Sequence, residues 1–414
     1  MKEPRLDRRA FLHGGAGAVA GAALALGGRA AWDAGSRPGA EPAVDDPGAR
    51  AAGHEDVGRA TVPFYGERQA GVATPAPAFA SFVALDLVAG TDRDALRRLL
   101  RIWTDDAARL TAGRPGLADT EPELALVPAS LTVTLGLGPG VFAVPGLEPS
   151  RPEWLAPLPP FAVDRLEEAW SGGDVLLQVC ADDEVTVAHA VRVLVKEART
   201  FATVRWVQRG FRRAAGTTAP GTTMRNLMGQ VDGTRNLVPG QDDALVWHDA
   251  AAPAWLAHGT SAVVRRVAMN LDTWDEVDRP AREVVVGRRL DDGAPLTGSS
   301  EHDEPDLEAV DAVGLPVIDV AAHIRRARTA DPQERFLRRS YNIDDAPPPG
   351  ALSASGLLFV AYQRDPVRQL VPVQTRLAEL DLLNTWTTPV GSAVFAVPGG
   401  CREGEYLAQR LVEP

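Results

Sequence analysis

The order of local patterns along the chain predicts an α+β protein built from two similar halves, each an antiparallel sheet with helices packed on one face. Three observations carry that expectation. Strand-like and helix-like stretches alternate from "PFYGERQAGV", beginning at Pro63, to the C-terminus. A strand followed by a long helix occurs twice, at Phe82–Leu110 and at Gly356–Trp386. The composition, 45% hydrophobic and 24% charged over 414 residues, is globular and long enough for one large domain or two ordinary ones.

In the first half, "FASFVALDLVA" reads as a strand and "DRDALRRLLRIWTDDAARL" as a helix. Leu96, Leu99, Leu100, Trp103 and Ala107 recur there at helical spacing, which marks a buried face. "GDVLLQVCA" is a second strand, and "EVTVAHAVRVLVKEART" a helix with Val187, Val191 and Leu194 on one side. "TVRWVQRGF" closes the half as a strand. The second half replays the scheme. "SAVVRRVAMNLDTW" is a strand running into a short helix, "GLLFVAYQRD" a strand, "VRQLVPVQTRLAELDLLNTW" helical throughout, and "SAVFAVPGG" the last strand. The acidic "LTGSSEHDEPDLEAVD" reads as a surface excursion and "DDAPPPGA" as a turn or loop.

The first residues are an address. Arg8 and Arg9 precede Phe11-Leu12 and a weakly apolar Gly/Ala run in "DRRAFLHGGAGAVAGAALALGG". That pattern resembles a twin-arginine signal, a route that exports proteins already folded, to the cell surface or beyond it. The run is too short and too rich in glycine for a membrane span. Residues 1–31 are read as this signal, 32–62 as a linker rich in Ala, Gly, Pro and Asp, 63–220 as the first half and 221–414 as the second.

Several functions are excluded by what the chain lacks. A formal net charge of −12 argues against a nucleic-acid partner, which needs a basic face. Cys180 and Cys401 can form at most one bridge and no zinc site, and Cys180 sits in an apolar run that suits a buried thiol. No two of the seven histidines stand at HxxxH or HxH spacing, and GxSxG and GxxxxGK[ST] are absent. His323 stands out. It follows Val317, Ile318 and Val320 and precedes a dense run of arginines ending in Arg338 and Arg339. Upstream, Asp232 sits in a turn flanked by Gly229 and Gly233. A histidine, a guanidinium and a loop carboxylate suit a haem peroxidase site. Such a site needs an axial ligand on one face of the iron, and a proton acceptor and a cation on the other.

"RNLMGQVDGTRN", residues 225–236, resembles the GxxDG motif of dye-decolorizing peroxidases, especially the exported deferrochelatase/peroxidase branch. Further stretches follow in that family's order: "LPPFAVDRLEEAWSGGDVLLQVCADD", "VVRRVAMNLDTWDE", "VGRRLDDGAPLTG", "LRRSYN", "LLFVAYQRDP" and "VGSAVFAVPGG". The resemblance implies a duplicated ferredoxin-like α+β sandwich around one haem b per chain. It implies peroxidase activity in acid, with hydrogen peroxide oxidising the haem and dyes, phenolics or other bulky reductants restoring it. By motif, Asp232 and Arg338 take the distal catalytic positions and His323 that of the proximal iron ligand. Phe359 takes a place against the distal face, Arg325 one at a haem propionate, and Asp381 one beside the other nitrogen of the proximal imidazole. Trp386, Tyr341, Tyr362 and Tyr406 are candidates for carrying electrons from a bulky reductant. Family members often associate, so a homo-oligomer is expected, with no membrane span in the mature chain. A second reading keeps the haem but not the turnover: a deferrochelatase-like protein that handles haem or releases its iron. The chain departs from the family's usual pattern at Gln230 and Val231, which replace Phe-Lys, and at Ser340, which replaces glycine.

Overall fold

The computed structural model describes residues 57–414, so the expected signal and most of the expected linker lie outside the described residues. Strands β1 (Phe79–Leu87), β2 (Thr132–Leu137), β3 (Val175–Ala181) and β4 (Ala202–Phe211) form an antiparallel sheet in the order β2-β3-β1-β4. In the second half β5 (Thr260–Met269) lies between β8 (Ser355–Gln363) and β9 (Thr387–Val397), with Arg265 opposite both Phe359 and Ser392. The short β6 (Leu337–Arg338) and β7 (Tyr341–Asp344) both pair with β8. Two contacts join the halves edge to edge: Leu137 pairs with Ala396, and Phe211 with Asn342. Because β5 also pairs with β8, the order of neighbours returns on itself and little strand edge is left open. Local patterning gave no hint of this closure, which depends on single residue pairs far apart in the chain.

Alternation along each strand divides the core in two. Phe82, Leu176, Cys180, Val264, Leu358, Tyr362 and Phe395 meet on the inner side of the ring. Val83, Leu85, Leu177, Val179, Val263 and Val394 point outwards, where helices cover them. In the first half those helices are α1 (Arg93–Thr111) and α2 (Glu184–Ala198). Leu96, Leu99, Leu100, Trp103 and Ala107 are all buried, as their spacing predicts, each large side chain contributing roughly 1.5–3 kcal/mol of burial. Asp92 and Asp183 cap the two helices, accepting from the backbone N–H of Ala95 and Thr186. Cys180 and Cys401 are both free and buried.

The second half carries α3 (Arg279–Val286), α4 (His323–Ala327) and α5 (Pro366–Leu380). The helix expected to run on to Trp386 stops at Leu380. Asp381 leaves it with φ −66° and ψ 121°, and its Oδ1 accepts from the N–H of Leu383, starting a separate short turn. The break frees the Asp381 carboxylate to face α4.

Candidate active site

The outward face of the second sheet is not filled by its helices. It borders a cavity of about 430 Å³, walled by β5, β8 and β9 on one side and by α4 and α5 on the other. Of the six site residues expected from sequence, Asp232, His323, Arg338, Phe359 and Asp381 line it, and Arg325 does not.

His323 begins α4, and its Nδ1 lies 2.6 Å from Oδ2 of Asp381. Asp381 is buried and fixed by its own cap bond, so it holds the ring in one orientation and favours the proton on Nδ1. Nε2 is then left as the lone-pair donor. Burial by itself pulls the histidine's pKa down. The charge and hydrogen bond of Asp381 outweigh it, and the ring lies above the ordinary histidine range.

Asp232 is placed by backbone geometry. Gly229 and Gly233 have φ of 86° and 133°, values that side-chain-bearing residues rarely adopt, and a Cβ on Gly233 would come within 3.2 Å of Thr223. The N–H of Asp232 donates to the carbonyl of Met224 at 2.8 Å, which pins the turn. Its Oδ1 then receives Nη1 of Arg338 at 3.2 Å, while Asn226 Nδ2 approaches Oδ2 at 3.4 Å. Asn236 was not singled out by the sequence reading, although it ends the quoted motif. Its Oδ1 accepts from the N–H of Arg338 and its Nδ2 donates to the Arg338 carbonyl, both at 2.7 Å. The motif therefore supplies both the carboxylate and the clamp that holds the guanidinium opposite it. Phe359 reaches the cavity from β8 and packs edge-on against Phe336, ring centres 6.1 Å apart.

Arg325 corrects an expectation. Expected to meet a haem propionate, it does not line the cavity, and its Nη2 donates instead to the carbonyls of Leu307 and Ile318. Other arginines take that side of the cavity. Arg288 lines the wall, is buried, and makes no ion pair among the described residues; its Nη1 donates to the carbonyls of Gly293 and Glu301. Burial lowers its pKa, and the nearby Arg235 and Arg338 push the same way against Glu301 and Glu304. At the mouth, Arg235 and Arg328 share a single carboxylate, Glu304. The wall thus carries a cationic excess that a ligand with carboxylate groups would relieve. A cavity lined by an imidazole lone pair, an Asp–Arg pair and excess cationic charge fits haem, a flat macrocycle that carries two carboxylates.

Gln230 lines the cavity with its Nε2 buried and unpartnered, so the departure from the family's pattern puts a neutral donor into the wall. Ser340 does not line it; its carbonyl accepts from Arg212. Among the aromatic candidates, Tyr341, Tyr362 and Tyr406 are buried, which removes them from contact with a bulky reductant. Trp386 is half-buried and meets Trp274 edge-on at 5.1 Å.

Two family models match the chain: Dyp-type peroxidase, N-terminal, over residues 69–212, and Dyp-type peroxidase, C-terminal, over residues 223–402. A dye-decolorizing peroxidase of Thermobifida fusca (strain YX) is 41% identical over 445 residues, covering 100% of each chain. A deferrochelatase of Escherichia coli (strain K12) is 36% identical over 372 residues, covering 84% of this chain and 87% of the relative. The crystal structure of a DyP-type peroxidase from Cellulomonas bogoriensis superposes with a TM-score of 0.85 at 64% identity, covering 86% of this chain and 99% of that one. Ferric DtpA from Streptomyces lividans follows at 0.83 and 43%, covering 87% and 99%.

Proposed function

Because the chain belongs to the Dyp-type peroxidase family, an oxidoreductase family acting on hydrogen peroxide, we propose a division of labour among its residues. His323 would hold one haem b per chain in the cavity through Nε2, with Asp381 keeping the Nδ1 proton in place. Arg288 would receive a haem carboxylate in place of Arg325, while Arg235 and Arg328 stay paired to Glu304. When bound, the haem supplies the iron at which peroxide is reduced. Asp232 accepts a proton from the bound peroxide at a carboxylate oxygen and returns it to the departing oxygen. The Arg338 guanidinium stabilises the negative charge that develops as the O–O bond breaks. Phe359 keeps water from that face. A bulky reductant, a dye or a phenolic, delivers electrons from outside the cavity, with Trp386 the candidate relay.

The Asp232–Arg338 pair at 3.2 Å carries the reading, because a haem carrier has no need of a placed proton acceptor and cation. It favours peroxidase turnover over the deferrochelatase-like alternative. Export by the twin-arginine route to the cell surface or outside the cell, and assembly as a homo-oligomer, complete the proposal. Among the described residues no helix is long and apolar enough to cross a membrane.

Stopped-flow absorbance after mixing haem-loaded protein with equimolar peroxide in acid tests it. Wild type is expected to lose Soret intensity quickly and recover it when a reducing dye is added. Arg338→Leu should keep the haem and react with peroxide about 100-fold more slowly, the scale of one lost charge-stabilising donor. An equally fast variant would remove Arg338 from its assigned role.

A further inference from the structure

The acidic excursion between α3 and α4 is tied down at the cavity mouth. Its outgoing limb starts at Glu301, whose carboxylate accepts from Thr223 Oγ1 at 2.6 Å and whose carbonyl accepts from Arg288 at 2.8 Å. Glu304 comes next, paired to Arg235 on the GxxDG turn at 3.2 Å and to Arg328 just after α4. Pro305 lines the cavity. The limb turns back at Asp311, whose N–H donates to the carbonyl of Leu315 at 2.8 Å, and Ile318 on the return limb is fully buried. One side chain fastens both limbs: Arg325 donates to the carbonyl of Leu307 on the way out and to that of Ile318, at 2.8 Å, on the way back. A half-buried guanidinium two residues from the candidate iron ligand thus holds a surface segment in place.

We propose that residues 299–320 form a strap that retains the haem, with Glu304 closing the mouth across Arg235 and Arg328 and Arg325 acting as its positioning residue. The inference rests on the haem site assigned above. Glu304 links the GxxDG turn to the end of α4, the two elements that bring Arg235 and Arg328 to the cavity. It also holds Arg235 and Arg328 together, so that like charge does not push the mouth open. Both pairs are largely solvent-exposed, which makes the closure weak and sensitive to salt. A weak clasp suits a group that must enter a folded protein.

The test is haem transfer from the purified holoprotein to excess apomyoglobin, followed by absorbance at low and high ionic strength. Glu304→Gln keeps the side chain's shape and removes its charge. At low salt it should release haem about three- to tenfold faster than wild type, the combined scale of two exposed ion pairs. The gap should narrow at high salt, a response that a merely structural lesion would not give. Arg325→Met should also speed release, and should expose the strap to cleavage by a protease specific for acidic residues. A wild type that binds haem and a Glu304→Gln variant that retains it equally long would overturn the strap alone. A wild type that takes up no haem would overturn the site on which the strap depends.

Discussion

The outward faces of the two sheets are built from the same kinds of strand and meet different fates. In the first half α1 and α2 press Leu96, Leu99, Leu100, Val187 and Leu194 directly onto Val83, Leu85, Leu177 and Val179, and the space is filled. In the second half α5 buries only Pro366, Gln369, Leu370 and Val373, and the facing strands look into the 430 Å³ cavity instead. Ionisable groups follow the same division. On the filled side Asp106, Asp119, His189 and Glu197 gather at α1 and α2; on the open side Arg288, Asp232 and Asp381 line the cavity. One half of the duplicated architecture keeps its core. The other gives up packing for a ligand, and the free energy of binding that ligand then becomes part of its stability.

The strongest way to break this comparison is His323→Ala. Without the imidazole the open half should lose stable haem binding, and the variant should melt like haem-free wild type. An unchanged Soret band in that variant would sink the ligand assignment. A matched pair of truncations sharpens the contrast. Leu99→Ala in the filled half should cost about 2–5 kcal/mol in denaturant unfolding and leave the haem spectrum as it was. Leu370→Ala, buried but bordering the cavity, should cost less in the haem-free protein, since the space it vacates opens onto an existing void. Equal losses from the two would mean that the faces are packed alike.

The smallest expected effect lies between α1 and α2. Glu197 has its Oε2 buried and unpartnered, and burial, with Asp106 beside it and Asp119 near, pushes its carboxyl up to about 9 despite Lys196. The folded-state pKa is raised above the ordinary 4.5, so folding takes up a proton at intermediate pH. The contribution of Glu197 to stability is therefore full below the ordinary glutamate range and is lost as the pH rises towards 9. Asp119, bonded to His189 at 2.8 Å and lowered in pKa, acts in the opposite sense, but only as the pH falls below the ordinary carboxylate range. Thermal unfolding of Glu197→Gln across this window should fall less steeply with pH than wild type. Parallel curves would remove Glu197 as the cause.

Much of this molecule is written locally. The 3.6-residue spacing of Leu96, Leu99, Leu100 and Trp103 dictates one buried helix face whatever lies beneath it. Aspartates just ahead of α1 and α2 cap them through their nearest N–H groups. The glycines around Asp232 fix a turn that puts the carboxylate at its apex, and the resemblance built on that motif led to His323, Arg338, Phe359 and Asp381. What escaped the sequence depends on contacts distant along the chain. Asp381 broke a helix that periodicity carried through to Trp386, because its carboxylate meets an imidazole 58 residues away. Arg325 and Arg288 are both arginines after apolar runs, and nothing near either tells which faces the cavity. The carbonyls of Leu307 and Ile318 claimed the first, and the second lines the cavity with no ion pair among the described residues. Periodicity and capping act within a turn or two, so the sequence alone determines them. A long side chain's direction is settled by whichever partner the tertiary structure brings within about 3 Å, the reach of a hydrogen bond.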